Sequence, residues 1–319
     1  CWRKKVAIDR VGLYSPGGTA PLFSTVLMLA IPAAIAGCRR VIICTPPDRN
    51  GNVNPLILYA AHYAGVNELY RVGGAQAIAA MVFGTETIPK VDKIFGPGNQ
   101  YVTRAKEMAQ LEGTPIDMPA GPSEVLVIAG SDADPSFVAA DLLSQAEHGS
   151  DSQVILLSDN NDLLESAMKE TEKQARQLPR KNIALMSLEN SRFILLRTLD
   201  ECMEFSNIYA PEHLIISTSD PHLLADKVRN AGSVFIGRYS CESAGDYASG
   251  TNHTLPTGGF AKSMGGVSAE SFVKKITFQE ISGMGMKSIG PAIEKMADAE
   301  LLQGHKNAVT LRLKTLKNG

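Results

Sequence analysis

The 319-residue chain alternates short β-branched runs with longer stretches rich in alanine and leucine, and Gly/Pro turns separate them. Short apolar runs bounded by turns are typical of buried strands, whereas the longer stretches have the length of helices. In the first half, this pattern predicts strands at 6–14, 40–44, 68–72 and 93–95 and helices at 21–36, 55–64, 75–83 and 101–111. Such alternation indicates a parallel sheet with helices on its faces.

A turn-rich link at 116–122 leads into a second half with the same alternation. Strands are predicted there at 125–128, 153–157, 193–196, 214–217 and 233–236, and helices at 135–146, 163–177, 199–207 and 221–231. From residue 268 the alternation stops, and 289–299 and 306–316 are predicted as helices. We therefore predict an α/β fold with two doubly wound, Rossmann-like parallel-sheet units, 1–122 and 123–267, and a small C-terminal helical appendage, 268–319.

The composition narrows the class of protein. Hydrophobic residues make up 44% and charged residues 20% of the chain, as in folded globular proteins. Lysine and arginine total 31 against 33 acidic residues, so we expect no nucleic-acid partner. The apolar stretch 22–37 is interrupted by Ser24, Thr25 and Pro32 and is shorter than the roughly 20 residues of a membrane span. We predict a buried helix there, and no membrane partner.

Five cysteines without a C-x-x-C pair indicate neither a disulfide framework nor a thiolate zinc site, which fits a cytoplasmic protein. The candidate chemistry lies elsewhere, in clusters of acidic, amide and histidine side chains. Residues 245–253 lack apolar periodicity, and we predict a functional loop with Asp246 as an oxygen donor and His253 as a ligand or hydrogen-bond donor. A solvated turn, the alternative, does not explain why these side chains are crowded together.

Three further clusters contain a histidine beside an acidic or amide side chain. Two of them have two interpretations each, and the third depends on a break in a helix. Gln145 and His148, three apart at a predicted helix end, converge on one ion or simply form a polar helix terminus. Glu212 and His213, at a helix-to-strand junction, suit paired general-base roles or a buried structural ion pair. Glu300 and a histidine five residues later point about 140° apart on a continuous helix, so they share a site only if the helix breaks, which Gly304 would allow.

One amide, two or three histidines and an aspartate without thiolates are typical of a catalytic zinc site. Three glycine turns, 15–21, 73–74 and 96–99, precede predicted helices at the positions where doubly wound sheets bind ligands. None fits G-x-G-x-x-G, so these turns are consistent both with cofactor contact and with plain tight turns.

Taken together, the motifs resemble the histidinol dehydrogenase family over essentially the whole chain. They are VGLYSPGGTAPLFSTVLMLA, VGGAQAIAAMVFGTET, KIFGPGNQYVT, DMPAGPSEVLV, DLLSQAEHG, YAPEHLI, AGDYASGTNHTLPT and HKNAVTLR. The resemblance implies oxidation of L-histidinol to L-histidine, the last steps of histidine biosynthesis, through bound L-histidinal and with two NAD. It also implies one Zn²⁺ per subunit and a homodimer whose active sites use residues of both subunits.

The resemblance carries over to individual positions. Implied metal ligands are Gln145, His148, Asp246 and His305. Implied NAD contacts, in the NAD-binding domain 1–122, are Tyr14, Gln76 and Asn99. Implied substrate contacts are Ser123, His253 and Glu300, together with His213 and the four metal ligands. Glu212 and His213 match the acid/base pair of the zinc and catalytic domain 123–267, and the resemblance places 268–319 in the partner's site.

The chain opens on Cys1 rather than methionine, and we expect an N-terminal segment to precede this numbering. The resemblance implies that it is a helical region contributing to the first domain and to dimer contacts. Three other readings compete. A zinc- and NAD-dependent dehydrogenase of another small polyol, such as sulfopropanediol, is disfavoured by Glu300 and His253. A zinc hydrolase leaves the glycine turns unused, and a truncated, inactive fragment is the third.

Overall fold

A computed structural model describes residues 1–17 and 21–317 and divides the chain into two compact units. The larger is Ala7–Val273, and the smaller combines Cys1–Val6 with the chain from Lys274 onward. Gly18, Thr19 and Ala20 of the predicted glycine turn 15–21 lie outside the described residues. No helix in the described ranges is long and apolar enough to cross a membrane.

The chain begins with β1 (Trp2–Ala7) and then forms a four-stranded parallel sheet of order β4-β3-β2-β5. Its strands are β2 (Arg10–Tyr14), β3 (Arg40–Thr45), β4 (Glu68–Arg71) and β5 (Lys93–Phe95), and its helices are α1 (Phe23–Ala36), α2 (Pro55–Tyr63), α3 (Gly74–Phe83) and α4 (Gln100–Leu111). One face buries Val11 and Leu13 against α1 and α2, and the other buries Ile42 and Ile94 against α3 and α4. Burial on both faces explains the nearly continuous apolar runs.

A five-stranded parallel sheet of order β10-β9-β6-β7-β8 completes the larger unit. In chain order its elements are β6 (Glu124–Ala129), α5 (Pro135–Ala146), β7 (Gln153–Ser158), α6 (Asn161–Ala175), α7 (Lys181–Glu189), β8 (Arg192–Leu195), α8 (Leu199–Tyr209), β9 (His213–Ser217), α9 (Pro221–Ala225), β10 (Ser233–Ile236) and α10 (Glu242–Tyr247). The α/β class with parallel sheets is therefore confirmed, while the domain boundaries at 122 and 267 stay predictions.

Local chemistry explains why several helices begin where the pattern places them. Asn54, Asp134, Asn160 and Thr198 each accept a hydrogen bond from a backbone N–H of the helix that follows. These caps satisfy N–H groups that have no partner within the helix. Helices α2 and α5 have proline at the first helical position. Proline has the φ that a helix requires, and its missing N–H costs no hydrogen bond because the N–H at that position has no partner within the helix.

The smaller unit contains a two-stranded sheet of β1 and β11 (Val273–Phe278), followed by α11 (Gly283–Ala299) and α12 (Gln303–Lys317). Trp2 stacks on Phe278 with ring centroids 5.5 Å apart. The two helices approach closely, because a Cβ at Gly290 would lie 2.9 Å from Leu313 Cδ2. The predicted helical end is present, and the β1–β11 pair was not predicted.

The predicted strand 6–14 was wrong as a single element. Exposed Asp9 lies at the break, and β1, whose first four residues are exposed, pairs with β11 instead of entering the buried sheet. Helix α11 begins six residues before the predicted 289. The prediction missed these residues because Gly283 and Gly285 are poor helix formers. Helix α9 ends at Ala225 rather than at 231.

Helices α7 and α10 were not predicted, and α10 corrects the loop proposed at 245–253. Gly245 and Asp246 belong to this helix. A Cβ at Gly245 would lie 2.5 Å from the Phe235 ring, so this glycine serves close packing rather than a turn.

Candidate functional site

The candidate site is a cavity of about 590 Å³ in the larger unit, between opposite ends of its two sheets. Pro16 follows β2 and Asn99 follows β5, so the four-stranded sheet contributes its carboxyl end. Ser123 precedes β6 and His213 begins β9, so the five-stranded sheet contributes its amino end. The rule for doubly wound sheets anticipates only the first of these positions.

Three side chains form a cluster of potential metal ligands within this cavity region. Donor atoms of His148, Glu242 and Asp246 all lie within 4.8 Å of one another. His148 follows the end of α5, whereas Glu242 and Asp246 are four residues apart on α10 and therefore share one helix face. Sequence reasoning missed Glu242, although its spacing from Asp246 was a usable signal once 242–247 is taken as a helix.

Gln145, in the last turn of α5, is buried and joins this cluster. With its amide nitrogen turned toward Glu242, it donates hydrogen bonds of 2.5 and 3.2 Å to the two carboxylate oxygens. Hydrogen-bond partners are the basis for orienting such an amide. The carbonyl oxygen then points away from Glu242, which leaves it available as a metal ligand.

The electrostatics of the cluster favours a cation. Burial, and next the charge of Asp246, raises the pKa of the Glu242 carboxyl well above its ordinary value. Burial also raises the pKa of Asp246 to about 6. Neighbouring buried carboxylates repel one another, and a bound cation compensates that repulsion. The carboxyl end of α5, with its partial negative charge, acts in the same direction. Oxygen and nitrogen donors without thiolates fit a catalytic zinc ion.

Glu212 and His213 lie side by side and buried where β9 begins. Glu212 Oε2 accepts from the Glu124 backbone N–H at 2.9 Å, and His213 Nδ1 lies 3.2 Å from the Glu124 carbonyl oxygen. A carbonyl only accepts, so Nδ1 carries the proton and Nε2 the lone pair. Within the described part of the chain, this buried Nε2 has no hydrogen-bond partner.

A structural ion pair explains this arrangement less well than a base does. The His213 Nδ1 lies 3.7 Å from Glu212 Oε2, farther than from the Glu124 carbonyl. Burial lowers the pKa of His213 to about 4 and raises the pKa of Glu212 well above its ordinary value. Both shifts disfavour the charged forms, so the imidazole is neutral and able to take a proton.

His253 and Ser123 also line the cavity. His253 Nε2 lies 3.3 Å from Thr25 Oγ1, and its Nδ1 lies 3.4 Å from the Asp246 backbone oxygen. Phe235, stacked on His213 with ring centroids 6.0 Å apart, packs against α10 at Gly245. One aromatic ring thus packs against both His213 and the helix that carries Glu242 and Asp246.

The cavity lining in the described chain includes one of the three predicted NAD contacts. Asn99 lines the cavity and caps α4, accepting from Tyr101 and Val102 backbone N–H groups at 3.1 Å each. Tyr14 is buried outside this lining, and its hydroxyl accepts from the Gly74 N–H at 3.0 Å. Gln76 is exposed and also lies outside the lining.

Glu300 and His305 belong to the smaller unit, where both are exposed. The helix breaks between them as the prediction requires, but at Leu301, which has a φ of 60°, and not at Gly304, which lies inside α12. The cavity lining described above comes from the larger unit, so these two side chains are not brought to it.

Comparisons with known proteins agree with one another. The family described as histidinol dehydrogenase matches residues 1–313. The histidinol dehydrogenase of Bacteroides thetaiotaomicron is 63% identical over 317 residues, covering 99% of this chain and 74% of the relative. That of Escherichia coli K12 is 54% identical, covering 99% and 73%. The crystal structure of histidinol dehydrogenase from Elizabethkingia anophelis matches with a TM-score of 0.97 at 60% identity, covering 99% and 73%.

Proposed function

Because the chain belongs to the histidinol dehydrogenase family of oxidoreductases, we propose that it oxidises L-histidinol to L-histidine in two NAD-dependent steps at a zinc site. One observation carries the proposal. A single cavity contains a neutral histidine, whose buried Nε2 has no hydrogen-bond partner among the described residues, beside a cluster of oxygen and nitrogen donors. That combination supplies a base next to a cation site, as oxidation of a metal-anchored alcohol requires.

Gln145, His148 and Asp246 would hold the zinc ion, and Glu242 would orient the Gln145 amide. When bound, zinc would anchor the imidazole and amine of the substrate and polarise the reacting group. His305 would complete the ligand set, and Glu300 and His253 would contact the substrate. We place Glu300 and His305 in the partner's site of a homodimer, with 268–319 as the contributing domain.

His213 acts as the base in both oxidations. Its Nε2 takes the hydroxyl proton while hydride leaves the substrate carbon, and the Nδ1–H bond to the Glu124 carbonyl keeps Nε2 unprotonated beforehand. Glu212, ionised at that step and made a stronger base by its raised pKa, then takes a proton from water, and the hydroxide that is left adds to the aldehyde carbon of L-histidinal. His213 passes its first proton to solvent and then takes a second one, from the hydrated aldehyde, as the second hydride leaves to NAD. Ser123, at the cavity wall, contributes to substrate binding.

Cofactor binding is assigned to the loops at the carboxyl end of the four-stranded sheet, within 1–122. Asn99 lines the cavity at the start of α4, where a helix amino end favours an anionic group. Tyr14 and Gln76 are proposed as further NAD contacts on the strength of the resemblance. All five cysteines of the described chain are free, which suits the reducing cytoplasm.

The test is the number of NADH formed per L-histidinol consumed, before and after a chelator removes metal. Two NADH per substrate, abolished by chelation and restored by zinc, is the expected result. One NADH would contradict the four-electron oxidation, and none would refute the proposal. A polyol such as sulfopropanediol, offered in parallel, should give no NADH, and a zinc hydrolase would give none with either compound.

A further inference from the structure

A buried ion pair lies beneath the turn 96–99, outside every group that the mechanism uses. Lys106 of α4 and Asp117 of the link after α4 are 2.5 Å apart, with side chains 2% and 1% exposed. Sequence reasoning singled out neither residue. Removing two charges from water costs desolvation free energy, so we expect this ion pair to have further contacts that account for its burial.

Those contacts converge on one glycine. Lys106 Nζ donates to the Gly96 carbonyl oxygen at 2.7 Å, and Asp117 Oδ2 accepts from the Gly96 N–H at 2.7 Å. Asp117 Oδ1 also accepts from the Met118 N–H at 2.7 Å. Both backbone polar groups of Gly96 are therefore held by charged, buried partners, which form the stronger class of hydrogen bond.

Gly96 is fixed from its other side as well. Its φ is 121°, and a Cβ there would lie 2.1 Å from the Tyr14 carbonyl oxygen, so only glycine fits against the end of β2. Pro97, Gly98 and Asn99 follow directly and line the cavity. The position of Gly96 thus determines where this wall of the cavity stands.

Replacing a buried ion pair by apolar residues of similar volume is often neutral or stabilising, so net stability does not account for this one. We infer that Lys106 and Asp117 are positioning residues that hold the turn 96–99 in the conformation that receives NAD. This inference rests on the proposed function, because it assumes that NAD binds at this wall. Neither side chain is among the residues that line the cavity, so both act through Gly96.

The test is binding of NADH to the full chain loaded with zinc, followed by nicotinamide fluorescence. The double variant K106M/D117N removes both charges with little change of volume. We expect its Kd for NADH to rise about tenfold or more, which corresponds to about 1.4 kcal/mol or more of binding free energy. Zinc content and the Kd for L-histidinol should stay within about twofold of the parent. An unchanged Kd for NADH in the folded variant would overturn the inference.

The single variant D117E separates positioning from charge. It keeps the ion pair but moves the carboxylate by one methylene, so a purely electrostatic role predicts unchanged NADH binding, and positioning predicts loss. Asp92→Asn is the matched control, because it weakens the Arg10–Asp92 pair at the amino end of the same sheet without touching Gly96. Loss of the folded state in both Lys106–Asp117 variants would overturn the inference in favour of a structural role. Failure of the unaltered protein to bind NADH would instead refute the proposed function, and the inference with it.

Discussion

Replacement of Glu242 by alanine should weaken zinc binding, because Glu242 holds the Gln145 amide. The carboxylate accepts two hydrogen bonds, at 2.5 and 3.2 Å, from the amide nitrogen. Losing groups that orient a metal ligand typically costs about 10- to 100-fold in metal affinity. At about 1.4 kcal/mol per factor of ten, this corresponds to roughly 1.4–2.8 kcal/mol. Loss of one negative charge beside the cation acts in the same direction.

Competition with a chromophoric zinc chelator measures that affinity directly, without turnover. Glu242→Gln keeps one acceptor oxygen and should lose less than the alanine variant. Glu147→Ala is the control: this neighbouring acid follows α5 but is not among the ligand cluster. Its zinc affinity should equal that of the parent.

A double-mutant cycle tests the route by which Glu242 acts. If it acts through Gln145, then Glu242→Ala should add little to the loss already caused by Gln145→Leu. Fully additive losses would show that Glu242 acts on the metal independently of Gln145, through its charge or by direct contact. Unchanged zinc affinity in a folded Glu242→Ala protein would refute the reasoning altogether.

Three further predictions concern chemistry, pH and backbone strain. Glu212→Gln should spare the first NADH formed and slow the second by about 10²- to 10⁴-fold, whereas His213→Ala should slow both. Stopped-flow absorbance separates the two steps, and an equal loss of both in the glutamine variant would contradict the division of roles. Burial raises the pKa of Asp141 from 3.8 to about 7, so the folded state binds its proton more tightly and stability falls as pH rises through this window. Asp141→Asn should then gain up to about 4 kcal/mol in urea unfolding at pH 8, and less at pH 5; a gain independent of pH would disprove this. Gly96→Ala should destabilise the protein by more than about 2 kcal/mol in the same assay, because its Cβ would meet the Tyr14 carbonyl oxygen; a loss below about 1 kcal/mol would count against the strain.

Most of the fold of the larger unit could be predicted because its signals are local. The apolar run of β6 is buried throughout after its first residue, and its pattern needs no knowledge of distant partners. Helix starts marked by Asn54 or Asp134 are equally local. By contrast, the pairing of β1 with β11 joins opposite ends of the chain, which no local pattern records.

The site was predicted in part for the same reason. Gln145 and His148 could be paired because a helix turn brings them together. Glu242 could not, since Gly245 and the polar residues after it have no helical pattern, and the packing of Gly245 against Phe235 is a contact that exists only in the folded chain. The alternatives left open at Glu212 and His213 depended on burial and tautomer, which are properties of the folded chain.

Because the two sheets meet the cavity at opposite ends, helix ends of opposite partial charge border it. The amino end of α4, beside Asn99, carries a partial positive charge, whereas the carboxyl end of α5, beside Gln145 and His148, carries a partial negative one. An anionic cofactor and a metal cation are therefore each favoured on a different side of one cavity. Because a hydride travels only a short distance, binding the cofactor and the metal-anchored substrate in one cavity is what the proposed reaction requires. Introducing an acidic side chain at the amino end of α4 should consequently weaken binding of the cofactor, and a basic one at the carboxyl end of α5 should weaken binding of the metal, each leaving the other ligand bound.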